Sequence, residues 1–250
     1  MAPQTGRGVR MVKVLAWIAL FFAVMSVALV MSAPYGFRNG WFDLRTVLMW
    51  VVPGGLLAGL AAMFVVLVKS VVGWRLKTKQ GRWMGRVAFV IALVAVALPL
   101  SLLQKGASLP RIHDITTDTT DPPIFVALSP LRADAPNGEI YGGETVARQQ
   151  RAAYPDIGPI ILAIPPDQAF AKALAAAKTL GWQIVADVPE AGRIEASATT
   201  YWFHLVHDVV IRIRPEGTGS RVDVRSVSRL GDGDQGANAD RIRAFRALLG

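Results

Sequence analysis

The chain has 250 residues, of which 52% are apolar, a net charge of +9 and no cysteine. That apolar share exceeds what an ordinary soluble chain carries, and the missing cysteines exclude disulfides, thiolate metal ligation and a cysteine nucleophile without fixing a compartment. The charge is unevenly placed: residues 1–104 hold 11 Lys/Arg against the single acid Asp43, whereas residues 105–250 hold 16 against 17. With the basicity confined to the greasy half, a nucleic-acid binder loses its main support.

No charged residue occurs between Lys13 and Arg38, between Arg45 and Lys69, or between Arg86 and Lys105. The three runs predict three transmembrane helices, apolar on every face and flanked by Trp17, Trp41, Trp50, Trp74 and Trp83. The third, Val87–Gln104, has 18 residues and reaches about 27 Å at ~1.5 Å per residue, just enough for the hydrocarbon core. The first run follows Arg7, Arg10 and Lys13 but is too long for a signal-peptide core, so an uncleaved anchor is expected. In "PGGLLAGLAA" Gly55 and Gly59 stand at GxxxG spacing beside Gly54, Ala58 and Ala62, which predicts close packing within the three-helix bundle, and Pro53 predicts a disturbed first turn. The tail carries three basic residues and the second loop six, against Arg38 and Arg45 in the first loop. The positive-inside rule therefore predicts a cytoplasmic N-terminus and an extracytoplasmic chain beyond Lys105.

Residues 105–156, which include "RIHDITTDTTDPPIF", are rich in Pro, Gly, Asp and Thr without a sustained period, and predict a polar stem or wrap rather than a helix or strand. From 157 regular signals return. "IGPIILAI" reads as a short strand, and "PDQAFAKALAAAKTLG" as a helix with Pro166 at its start, Asp167 in its first turn and Gly181 as its stop. "WQIVADV", "RIEASATTYW", "HDVVIRIR" and "SRVDVRSVSRL" alternate at period two, with turns at "PEAG" and "PEGTG", and "ANADRIRAFRALL" places Ile242, Phe245 and Leu249 on one helical face. The predicted order is β-α-β-β-β-β-α: an α+β domain with a mostly antiparallel five-stranded sheet and two helices on one face. The predicted organisation is 1–104 membrane region, 105–156 stem, 157–250 domain.

The other sheet face gathers charge: Arg221, Asp223, Arg225 and Arg229 on one strand, with Arg212 and Arg214, and Arg193 and Glu195, beside them. Two readings stay open. It is a cross-strand ion ladder on a solvated face, or an arginine-rich surface that docks an anionic headgroup or a partner protein.

Enzyme motifs are absent: no nucleophile motif and no phosphate-binding glycine loop occurs. His113, Asp114, Asp118 and Asp121 with His204 or His207 form a mixed N/O set that suits zinc or manganese, yet His204 and His207, three apart on a predicted strand, point to opposite faces, and "DITTDTTDPP" also reads as capped turns. Asp232, Asp234, Asn238 and Asp240 fall at positions 1, 3, 7 and 9 of a calcium-type loop, but Arg243 and Ala237 occupy its glutamate and glycine slots. The simpler expectation is Asn238 as N-cap of the last helix. In "YPDI", Pro155 biases Tyr154 toward extended backbone and Asp156 can bond the following amides, a structural corner. No metal or cofactor is expected.

"RIHDITTD", "PPIF", "YPDI", "GW", "GRIEA", "DVVIRI" and above all "SRVDVRSVSRLGDGDQGANADRIRAF" resemble the bacterial and plastid domain-of-unknown-function family 1499, over residues 111–250. Several members likewise carry hydrophobic segments ahead of the domain. The resemblance implies an envelope-associated domain and no established activity. Where the family pattern places two acids before "VVIR", this chain has His207 and Asp208. The resulting expectation is an inner-membrane protein of a Gram-negative bacterium, embedded in the lipid bilayer. Its periplasmic domain would bind a partner protein or an anionic envelope lipid, with no nucleic acid. The competing expectation is a periplasmic hydrolase or metal-dependent enzyme using His113, Asp114 and Asp208.

Overall fold

A computed structural model describes residues 6–250 of the chain. They divide into one compact unit ending at Gln104 and a second from Lys105 to Gly250.

The first unit consists of α1 (Gly6–Arg38), a single turn α2 (Leu44–Thr46), α3 (Val52–Arg75) and α4 (Arg82–Ala107). Asp43 starts α2 by accepting the Thr46 amide at 2.7 Å. Three spans, Gly6–Arg38, Leu44–Arg75 and Arg82–Gln104, are long and apolar enough to cross a membrane. Pro53 brings no N–H to the ladder, and the residues just ahead of it, Val47–Val51, widen into a π-helical turn. The bundle is sewn together by small side chains. Ala19, Ala23, Ala62, Ala88 and Ala92 form its buried centre. Gly59 lies so close to α4 that a Cβ there would stand 2.4 Å from Val96. Ser26 donates to the Gly55 carbonyl at 2.7 Å. The GxxxG pair is thus used inside this bundle, where backbones approach closely.

The second unit is α+β. Its antiparallel sheet has the order β1-β6-β5-β4-β3, with β2 also paired to β6: β1 (Asp114–Thr116), β2 (Ile160–Leu162), β3 (Gln183–Val188), β4 (Arg193–Thr199), β5 (Val206–Glu216) and β6 (Gly219–Ser228). There are six strands rather than five because β6 is long enough to pair β2 through Ser220–Val222 and β1 through Arg225–Val227 along one edge. Gly192 makes the turn into β4 with φ 56°, and a Cβ there would stand 2.2 Å from the Ile213 carbonyl oxygen.

The helices α6 (Pro166–Thr179) and α7 (Ala237–Leu249) join one face of the sheet in a single core of Phe170, Ala173, Ala177, Trp182, Ile194, Val209, Ile211, Val222, Val224, Ile242 and Phe245. Trp182 stacks on Phe245 with ring centroids 5.5 Å apart. Gly181, at φ 72°, ends α6: the Trp182 amide reaches back to the Ala177 carbonyl and the Gly181 amide to Lys178, which satisfies the last carbonyls.

The segment expected to lack helix and strand contains β1, a 3-10 turn at Pro130–Arg132 and α5 (Gly143–Ala153). These elements escaped the periodicity because β1 has three residues and α5 begins at glycines, where no cap signal exists. Gln150 of α5 pairs with the Thr116 backbone as a further strand would: its amide donates to the carbonyl at 2.7 Å and its oxygen accepts the N–H at 3.0 Å.

Candidate functional site

Alternation along β4, β5 and β6 sends Ile194, Val209 and Val224 toward the helices and Glu195, Asp208, Asp223 and Arg225 to the opposite face. Most of that face is covered. Residues 117–139 lie across it, with Phe125 and Leu128 packed on Val210 and Val227, and Glu195, Asp208 and Asp223 have no exposed surface.

Three carboxylates fix the wrap. Glu195 accepts the amides of Val126, Ala127 and Leu128 at 2.9–3.1 Å, and Arg193 Nε at 2.9 Å. Asp208 receives Arg132 Nη1 at 2.5 Å, Arg229 through two bonds at 2.7 and 3.0 Å, and Ser197 Oγ at 2.7 Å. Burial opposes ionisation of Asp208, but the bonds from Arg229, Ser197 and Arg132 outweigh it and hold the carboxyl below its usual range. Asp114 forms a two-pronged pair with Arg225 at 3.0 and 2.7 Å, and Arg225 also donates to the carbonyls of Pro123 and Glu139. The Phe125 ring lies under both Arg132 and Arg225, 5.2 and 5.4 Å from the guanidinium carbons.

At one side of the face, Arg212, Arg214 and Arg221 converge on Asp118, Asp121 and Asp223. Burial raises the Asp118 carboxyl, yet the amides of Asp121 and Thr120 together with Arg221 and Arg212 bring it below the ordinary value. The solvated-ladder expectation is corrected: cations and anions do pair, but under a protein cover. Arg225, only 2% exposed, is enclosed and has no free donor face to offer a ligand. Arg221 and Arg229 are half-buried and spend their forks on Asp223, Asp118 and Asp208.

On the helix side, His207 belongs to a second buried polar cluster. Its Nδ1 meets Ser228 Oγ at 2.9 Å and Asn238 Oδ1 at 3.1 Å. Asn238 also bonds Ser226, Arg241 and the His113 carbonyl. Burial pushes the His207 imidazole down to about 4, so the ring is neutral at physiological pH. Asn238 is the hub of this cluster and not the N-cap of α7. The capping is done by Asp234, whose two oxygens accept the Gly236 and Asn238 amides at 2.9 and 2.6 Å. Burial raises its carboxyl despite those bonds.

The other predicted positions scatter. His204 sits in the β4–β5 turn at φ 51°, not on a strand. Tyr154 is buried at the predicted corner. Asp156 bonds Arg243 through both oxygens at 2.7 and 2.8 Å, not the following amides, because the α7 guanidinium is the stronger donor there. Asp114 and Asp208 share the covered face on either side of Val227, each closed by arginine, while His113 contributes its carbonyl to Asn238 and Ser228. No cluster of three His, Asp or Glu residues able to hold a metal occurs among the described residues. Arg132, Glu195, Gln150 and Arg241 were not singled out as site residues in the sequence. Only Glu195 carried a signal, the alternation that puts it beside Arg193 on the charged face.

Exposed apolar residues remain. Tyr201 and Trp202, edge to face at 5.4 Å, stand at the β4–β5 turn with 79% and 53% exposure, and Ile124, Val126, Leu131 and Ile140 are exposed on the outer side of the wrap.

Residues 114–249 match the family described as a protein of unknown function (DUF1499). No curated protein and no solved structure matches the chain. The match spans 136 of the 250 residues and takes in every strand, the wrap and both core helices, so the chain belongs to the DUF1499 family.

Proposed function

We propose that the protein is an integral inner-membrane protein whose C-terminal domain lies in the periplasm and rests on the lipid surface of the envelope through the β4–β5 turn, as a binding module and not as an enzyme. The observation that carries this reading is the exposed Tyr201–Trp202 pair. Both side chains join an apolar ring to a polar tip, the combination favoured at the headgroup level. Only residues 108–113 separate α4 from β1, so the tether is short. The charge asymmetry of the loops favours the periplasmic side. The carboxylates that an enzyme would need are committed to arginines and backbone amides, which favours a structural role for them.

The chain has no cysteine, so one introduced at the exposed Thr199 gives a unique label. A spin label there is expected to be reached by membrane-impermeant reagents from the periplasmic side in spheroplasts, and in proteoliposomes to collide with oxygen more than with a water-soluble nickel chelate. Collision parameters typical of bulk water would refute the lipid-surface reading. Labelling only after lysis would refute the periplasmic one.

A further inference from the structure

A cleft of about 990 Å³ opens between α3 and α4 at the end where the loop 76–81 joins them. Its lining includes six cations, Lys69, Arg75, Lys77, Lys79, Arg82 and Arg86, and its wall is apolar through Val66, Phe89 and Val90. The loop is ordered. Lys77, at φ 47°, closes α3 by donating its amide to the Trp74 carbonyl while the Thr78 amide reaches Gly73. Trp74 and Trp83 flank the cleft with 80% and 75% exposure, as interfacial side chains do.

The decisive group is Lys69. It is 5% exposed, and among the described residues the one acceptor its ammonium finds is the Gly81 carbonyl at 3.0 Å. Its side chain lies along Gly85, where a Cβ would stand 2.4 Å from Nζ. Asp43, at the other end of the long Leu44–Arg75 span, is the sole acid in residues 1–104, so no carboxylate of this unit lies near this ammonium or the two arginines beside it. A buried ammonium that spends one of its three donors on a described residue suits an anion. Phosphate diesters with a net negative headgroup and an acyl chain match a basic mouth continuous with an apolar wall.

We propose that this cleft is a binding site for one anionic phospholipid, its phosphate between Lys69, Arg82 and Arg86 and an acyl chain along Val66, Phe89 and Val90. The site requires only that the three long helices reside in a bilayer, and it is independent of what the C-terminal domain binds.

The test uses the full chain purified in mild detergent, incubated with phosphatidylglycerol or phosphatidylcholine and examined by native mass spectrometry. The wild type is expected to retain one phosphatidylglycerol in preference to phosphatidylcholine by about tenfold or more, since each basic residue near a headgroup contributes roughly a fivefold factor. Lys69→Met and the double variant Arg82→Gln with Arg86→Gln are each expected to abolish the preference. Should Lys69→Met fail to accumulate, the arginine variant decides alone, because its side chains lie at the rim. Equal retention of the two lipids, or an undiminished preference in the arginine variant, would overturn the site. Displacement of the lipid by inorganic phosphate alone would overturn the lipid as its occupant.

Discussion

Arg132 Nη1 and Asp208 Oδ2 stand 2.5 Å apart with side-chain exposures of 1% and 0%, although 76 residues separate them. The pair joins the 3-10 turn of the wrap to the middle strand of the sheet, and breaking it takes one of three donor side chains from a buried carboxylate.

Arg132→Ala is therefore expected to lower the stability of the C-terminal domain by about 1–3 kcal/mol, the cost of removing one charged donor from a buried carboxylate that keeps Arg229 and Ser197. Replacing both residues by apolar ones, Arg132→Met with Asp208→Leu, should cost less than the single change, with Arg229 left to reach solvent. Native-state hydrogen exchange of β5 and β6 in the full chain measures both. A single-variant loss below about 1 kcal/mol would show that the pair is dispensable.

Glu195→Gln leaves shape unchanged but turns one oxygen into an N–H2 group facing the amides of residues 126–128. The expected cost is about 1–3 kcal/mol, concentrated in the wrap: exchange at Val126, Ala127 and Leu128 should accelerate far more than at Val209 or Val224. Uniform acceleration across the sheet would contradict the assignment of Glu195 as the anchor of this segment.

His207 sets a pH dependence. Its folded-state value of about 4 lies below the ordinary 6.5, so the unfolded chain binds the proton first and stability is lost as pH falls between 6.5 and 4. The loss amounts to roughly 3 kcal/mol at most. Asp208, also depressed, adds to the loss below the ordinary carboxylate range, whereas Asp234, raised by burial, acts in the opposite sense. His207→Asn should flatten the profile between pH 4 and 6.5. An unchanged slope in that variant would assign the dependence elsewhere.

Trp182→Ala removes a ring that is 7% exposed and stacked on Phe245, with an expected loss of about 3–5 kcal/mol. Phe245→Leu, which keeps most of the volume, should cost less than half as much. Exchange in α7 reports both, since Phe245 belongs to that helix.

The parts legible in the sequence were those in which neighbours along the chain are also neighbours in space. Uncharged runs disclosed the three long helices, because a helix facing lipid is apolar all round. Period-two alternation disclosed β3 to β6, and Gly181 and Pro166 the limits of α6. The candidate site was legible only as a list of charges. Alternation tells that Asp208 and Arg225 leave the helix side, but not that residues 117–139 cover them, since the pairs Asp114–Arg225, Leu128–Glu195 and Arg132–Asp208 join positions 111, 67 and 76 residues apart through an aperiodic segment. On spacing, Asn238 was the expected cap of the last helix. The buried demand of His207, Ser226 and Ser228 took Asn238 away from the helix end and left that duty to Asp234.

The wrap also orders events in time. The chain is made from its N-terminus, so Phe125, Leu128 and Arg132 emerge before any of the strands that receive them. Hairpins β4–β5 and β5–β6 close over short loops and at small entropic cost, whereas each attachment of the wrap must close a loop of more than sixty residues. Strands β3 to β6 are thus expected to pair early, and the covering of their charged face to follow. In that interval Glu195, Asp208 and Arg225 stand hydrated, and Phe125 and Leu128 wait without the Val210 and Val227 on which they pack.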